Sequence, residues 1–276
     1  MSVAPVGRGP GQPGDLAGKT AFVVGATAGI GRAVVLEFAA AQANVVIVGL
    51  GAKDGQRVEA DALQVAEEKR RETGRAPGKH NAMFIEADVT RLEQLTMAFA
   101  KGVERFGRIH IAVNNAGIEG RFGPVHEAGT DDFDSIIGVN LKGIWHGLKV
   151  EVPHMLANGG GAIVNTASSA GVTGIPNVAL YTASKHAVVG LTKASALELA
   201  KSNIRVNAVA PGPVDTGLLH RMIAGKIDVS VIAASVPMGR VSAPEESARA
   251  IVWLCSDAAS YVTGHTLVVD GGLTVA

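Results

Sequence analysis

Apolar and polar positions alternate along this chain in two rhythms. Short apolar runs rich in β-branched residues fall at 20–24, 44–48, 82–87, 109–113, 161–166, 204–208 and 266–269. Between them lie longer stretches with apolar residues at helical spacing: 32–42, 56–72, 92–106, 132–156, 181–201 and 244–255. In the first of these, Val34, Val35, Phe38 and Ala39 share one face. Strands that are apolar on both faces and are separated by helices predict a parallel sheet covered on both sides. The fold class expected is α/β, a doubly wound sheet of about seven strands flanked by helices, in a single domain over residues 16–276. Residues 1–15 carry Pro5, Pro10 and Pro13 among four glycines and show no periodicity, so a flexible tail is expected there.

Composition narrows the function classes. Of 276 residues 47% are hydrophobic and 18% charged, which excludes a disordered chain. Lys plus Arg equals Asp plus Glu at 25 each, so no net charge steers the protein onto nucleic acid. The one cysteine, Cys255, forbids an intrachain disulfide and a cysteine-based zinc cage, and no metal site is expected. No apolar run reaches the length of a membrane span and the N-terminus lacks an apolar leader, so a cytoplasmic protein without a membrane partner is expected.

Candidate chemistry begins at the first turn. Gly25, Gly29 and Gly31 sit between the first strand and its helix, where absent side chains let a pyrophosphate approach the helix N–H groups. The spacing is G-x-x-x-G-x-G rather than G-x-G-x-x-G, so the dinucleotide motif applies only by analogy. Asp88 follows the third strand and Asn114-Asn115-Ala116-Gly117 the fourth, at the strand ends where ligands bind in open sheets. Tyr181 and Lys185 stand four apart at the start of a helix and so share a face. A neighbouring ammonium favours the phenolate, so the tyrosine is expected to have a lowered pKa suited to proton transfer. Taken singly, each motif also fits an ordinary turn or helix surface.

Together the motifs resemble the classical short-chain dehydrogenase/reductase family. Gly25-x-x-x-Gly29-Ile30-Gly31, Asp88, Asn114 to Gly117, Asn140, Ser168, Tyr181-x-x-x-Lys185, Pro211-Gly212 and Thr216 occur in that family's order and spacing, from about Leu16 to Gly272. The resemblance implies a Rossmann-type fold and a catalytic set of Asn140, Ser168, Tyr181 and Lys185. Tyr181 would be the proton donor and acceptor, and Lys185 would lower its pKa and hold the nicotinamide ribose. Ser168, chosen over Ser169 for its thirteen-residue spacing to Tyr181, would donate to the carbonyl oxygen. Asn140, inside the long helix, would anchor a water next to Lys185. The cofactor implied is NAD(P)(H), held by Gly25, Thr27, Ala28, Gly29, Ile30, Gly31, Leu50, Asp88, Val89, Asn115, Ala116 and Gly117 with Tyr181, Lys185, Pro211, Gly212, Val214 and Thr216. A homotetramer packed through the 132–156 and 181–201 helices is also implied.

Three regions depart from the pattern or vary within it. The second strand ends in Gly49-Leu50-Gly51, without the acid that enforces NAD or the arginine that often marks NADP. With nothing there to repel a 2′-phosphate the choice leans to NADP, and Lys53 and Arg32 are the cations in reach. Lys69, Arg70, Arg71, Arg75 and Lys79 read as a solvated helix end rather than a contact site. The segment Thr216–Met238 is apolar for a loop, with Gly217 and Gly225 as hinges. With Ile118, Phe122, Ala170, Val172 and Ile175 it suggests an apolar pocket for a hydrophobic ketone or secondary alcohol. The substrate residues proposed are Ser168, Ala170, Glu119, Phe122, Leu218 and Met222, with Arg121 and His220 as further polar candidates. The absence of G-x-S-x-G and H-E-x-x-H argues against serine and metal hydrolases. A non-catalytic dinucleotide-binding regulator on the same fold is the remaining alternative.

Overall fold

In the computed structural model, which describes residues 16–74 and 82–276, the apolar runs form seven strands. They are β1 (Thr20–Val24), β2 (Asn44–Gly49), β3 (Ala82–Glu86), β4 (Ile111–Asn114), β5 (Gly161–Thr166), β6 (Ile204–Pro211) and β7 (Thr266–Val269). All pair in parallel in the order β3-β2-β1-β4-β5-β6-β7. The order reverses between β1 and β4, and at such a switch point the strand ends open a crevice.

The crossovers are α1 (Gly29–Ala40), α2 (Ala52–Glu72), α3 (Leu92–Phe106), α4 (Thr130–Ile137), α5 (Gly143–Ala157), α6 (Ala179–Leu199) and α9 (Pro244–Cys255), with α7 (Gly217–Ile223) and α8 (Val229–Ser235) over the crevice. Because successive side chains of a strand alternate faces, Ala21, Val23, Val45 and Ile47 pack under α1, α2 and α9. Phe22, Val24, Val46 and Val48 face α3 instead. The fold is thus the α/β sheet expected. The tail at 1–15, and Arg75 and Lys79 of the basic stretch, lie outside the described residues.

Two expectations are corrected. The single helix over 132–156 is in fact α4 and α5 joined by a π turn at Gly138–Lys142, where one extra residue per turn shifts the face that Asn140 presents. The loop over 216–238 contains α7 and α8, because Thr216 and Asp228 cap short apolar segments that then wind into helices of seven residues each.

Candidate active site

The crevice holds a cleft of about 850 Å³, floored by the ends of β1, β2, β4, β5 and β6. At β1 the chain turns so tightly that a Cβ on Gly25 would lie 2.4 Å from the Ala116 nitrogen, with φ at +75°. A Cβ on Gly31 would lie 2.0 Å from the Gly25 carbonyl oxygen, so that glycine seats α1 on the turn. Asn115 Nδ2 donates to the same carbonyl at 2.9 Å. Ala28 offers no side-chain cap to α1, which leaves its first N–H groups to a ligand. Thr27, Ala28, Gly29 and Ile30 line the cleft here, as do Leu50, Asp88, Val89, Asn115, Ala116 and Gly117. Gly31 does not line it, being packed beneath. The cradle fits a dinucleotide diphosphate: it is close to bare backbone and carries donors without acids.

At the β2 end the cations are arranged differently from expectation. Arg32 Nη2 donates to Asp61 at 2.8 Å, which directs it away from any 2′-phosphate. Lys53 is exposed in the first turn of α2. The Gly51 N–H donates to Glu86 Oε1 at 3.0 Å, so the acid in this corner stands on β3 and is engaged with backbone. Asp88 is locked by Thr90, whose N–H and hydroxyl both donate to its Oδ1 at 2.8 Å.

On the opposite wall Tyr181 and Lys185 emerge from the first turns of α6, both buried. Ser168, two residues past the end of β5, lines the cleft with Tyr181 and accepts from the Ala170 N–H at 3.2 Å. The neighbouring Ser169 is buried, and it is Ser168 that the fold brings to the tyrosine. Lys185 Nζ donates to the Thr166 carbonyl at 2.9 Å and lies 5.7 Å from the Tyr181 ring centre. Burial drives its pKa from the ordinary 10.5 down to about 8.

The expected lowering of the Tyr181 pKa is not found. Burial pushes the phenol up, Ser168 draws it partly back, and the Glu119 charge raises it further. Asn140, fully buried in the π turn, accepts from the Ile118 N–H at 2.8 Å and donates to the Ile118 carbonyl at 2.9 Å and to Ser184 at 3.1 Å. A Gly117 Cβ would lie 3.4 Å from its Oδ1 and 3.5 Å from Lys185 Nζ, so the two groups flank one backbone position.

Pro211, Gly212, Val214 and Thr216 line the far end of the cleft, the Thr216 hydroxyl donating to the Val214 carbonyl at 3.3 Å. Above them Phe122, Ile175, Leu218 and Met222 form an apolar wall. Ala170 is not on that wall: it is packed behind Tyr181, Val178 and Phe122. Val172 faces outward. Glu119 also stands off the wall, because Arg221 Nε and Nη2 donate to its carboxylate at 2.7 and 3.2 Å. His220 is paired with Asp215 and Arg121 with Glu127, both outside the cleft. Sequence reasoning missed Arg221, Asn177 and Leu273, all of which line it. The first two sit beside recognised segments; nothing in the sequence signals Leu273.

Residues 25–274 match the family model described as enoyl-(acyl carrier protein) reductase. The chain is 38% identical over 256 residues to cyclohexanol dehydrogenase of Acinetobacter sp. (strain SE19), covering 93% of this chain and 95% of the relative. Among solved structures it is similar to ElxO with NADP bound, at TM-score 0.83 and 34% identity over 94% of this chain and 99% of that one. It is also similar to 3-ketoacyl-(acyl-carrier-protein) reductase from Brucella melitensis complexed with NADH, at TM-score 0.84 and 33% identity with the same coverage.

Proposed function

The chain belongs to the classical short-chain dehydrogenase/reductase family, and from that premise we propose how its residues divide the work. It is an NAD(P)-dependent oxidoreductase acting between a C–OH and a C=O group. The bound dinucleotide supplies or accepts the hydride. The observation that carries the assignment of roles is that Ser168, Tyr181 and Lys185 line one cleft, with Lys185 Nζ 5.7 Å from the Tyr181 ring centre.

In reduction Tyr181 would give its phenolic proton to the substrate oxygen, and in oxidation the phenolate would take that proton back. Ser168 donates a hydrogen bond to the same oxygen as charge gathers there. Lys185, held by the Thr166 carbonyl, keeps a positive charge next to the phenolate and orients the ribose hydroxyls. Asn140 positions Ile118 and Ser184 around that pair. The Gly25–Gly31 turn and the start of α1 hold the pyrophosphate, Leu50, Asp88 and Val89 the adenosine, and Val214 and Thr216 the carboxamide. NADPH is the favoured dinucleotide, since β2 itself ends without an acid, the neighbouring Glu86 is engaged by the Gly51 N–H, and Lys53 stands exposed nearby.

The substrate is a hydrophobic ketone or secondary alcohol, consistent with the apolar wall and with the alicyclic alcohol named for the Acinetobacter relative. Trp145, Leu156 and Leu197, exposed on α5 and α6, suit a homotetramer, and a cytoplasmic location accords with the lack of any membrane-length apolar helix among the described residues.

Thermal unfolding with NADH and with NADPH tests the reading. Ligand at about a hundred times its dissociation constant adds ~2.7 kcal/mol and raises Tm by several degrees. A larger rise with NADPH is expected; no rise with either would overturn the cofactor assignment.

A further inference from the structure

Beneath the cleft lies a chain of buried polar side chains outside the proton-transfer site. Asn114 on β4, Glu151 on α5, Asn165 on β5 and Thr192 on α6 are all closed to solvent. Asn165 Nδ2 donates to Thr192 Oγ1 at 2.9 Å, and Asn114 Nδ2 donates both to Asn165 Oδ1 and to Glu151 Oε2 at 3.1 Å. Two buried oxygens remain without a donor, Asn114 Oδ1 and Glu151 Oε1. They bracket one point above Gly147, where a Cβ would lie 2.2 Å from the first and 3.0 Å from the second.

Two acceptors do not face each other in a dry interior unless a proton lies between them. Turning both amides over does not help, since it only swaps which carboxyl oxygen meets the amide oxygen. Nor does a cation compensate. The charged side chains Lys101, Glu104 and Arg105 of α3, Lys142 of the π turn, Lys149 of α5, and Lys193 and Glu198 of α6 are exposed. His146 is bonded with the Val89 carbonyl, and His154 accepts from the Ile109 N–H. Asn114 is the one polar group that acts on the carboxyl.

We propose that Glu151 is an un-ionised carboxylic acid at neutral pH, donating from Oε1 to Asn114 Oδ1 in a closed acid–amide pair that fixes the end of β4. It is a positioning residue, for the next residue, Asn115, holds the Gly25 carbonyl, and Asn165 precedes Thr166, which takes Lys185 Nζ. Burial raises the Glu151 carboxyl from the ordinary 4.5 to about 8. The folded protein therefore holds a proton that the unfolded chain releases between those values. This contribution to stability is complete below pH 4.5, declines as pH rises through the window, and levels off above about 8.

Glu151→Gln keeps the shape, with its amide donating where the acid did. Between about pH 5 and pH 9 the Tm of the wild type is expected to fall by at least about 5 °C more than that of the variant. Infrared spectra of ¹³C-glutamate-labelled wild type near pH 6.5 should show a protonated carboxyl band that fades above pH 8. Parallel Tm profiles, or no such band, would overturn the proposal. Should the variant not fold, the wild-type band and its pH dependence decide alone.

Discussion

The floor and the roof of the cleft are built on different principles. The floor and the wall that carries Tyr181 are held by hydrogen bonds between strand ends and the elements packed on them: Asn115 to Gly25, Lys185 to Thr166, Asn140 to the N–H and carbonyl of Ile118. The roof is α7 and α8, tied to the rest largely by cations at the surface. Arg221 reaches across to Glu119, and Lys226 sits 5.0 Å over the Phe122 ring. The floor has one arrangement, whereas ties of the second kind are weak and easily re-made. A site divided in this way keeps the chemistry in place while the part that meets the substrate stays adaptable.

The largest expected effect is on the wall that carries Tyr181 and Lys185. Tyr181→Phe removes the proton and leaves the packing, so turnover should fall at least ~10³-fold while the Tm rise with dinucleotide persists. Retention of most turnover would show that the proton comes from elsewhere. Lys185→Met separates function from stability. A buried ammonium whose pKa is depressed to about 8 costs stability wherever it remains charged. The variant, inactive, should therefore be more stable than the wild type at pH 7 by ~1–3 kcal/mol, less whatever the Thr166 hydrogen bond contributes. That gain shrinks as pH rises from about 8 toward 10.5, where the wild-type lysine is neutral in both states. Denaturant unfolding at pH 7 and pH 10 measures it; a variant less stable at both would contradict the burial cost.

The smallest effect is on the roof. Arg221 is 63% exposed in its pair with Glu119, so Glu119→Gln should change stability by less than ~1 kcal/mol. The substrate KM should move a few-fold with kcat nearly constant. Since the Glu119 charge raises the Tyr181 phenol, its removal should also shift the rising limb of the oxidation rate to lower pH. Unchanged KM and an unshifted profile would mean that the roof is not coupled to the proton donor.

What the sequence made legible follows the same division. The sheet could be read because buried parallel strands are continuous apolar runs, as Val45 to Val48 are; Gly25 and Asn115 could be assigned because strand ends gather ligand groups, and Ser168 and Tyr181 through the family's spacing. The π turn at Asn140 was not legible, since no residue type marks an extra residue in a helix. Neither was the sign of the Tyr181 shift: the adjacent lysine was visible, but the burial that outweighs it depends on Val178 and Ala170 packing around the ring. In the roof, Glu119 was assigned to the substrate because its partner Arg221 lies 102 residues away.

The strand order has a consequence for how the protein comes into being. β1 and β4 are neighbours in the sheet, yet Asn115 and the Gly25 carbonyl it holds are 90 residues apart in the chain. During synthesis the phosphate turn is completed early and is useless until the fourth strand has emerged and docked beside the first. The dinucleotide is then a ligand of the assembled sheet only, and its concentration in the surroundings sets how strongly the finished fold is held against reopening.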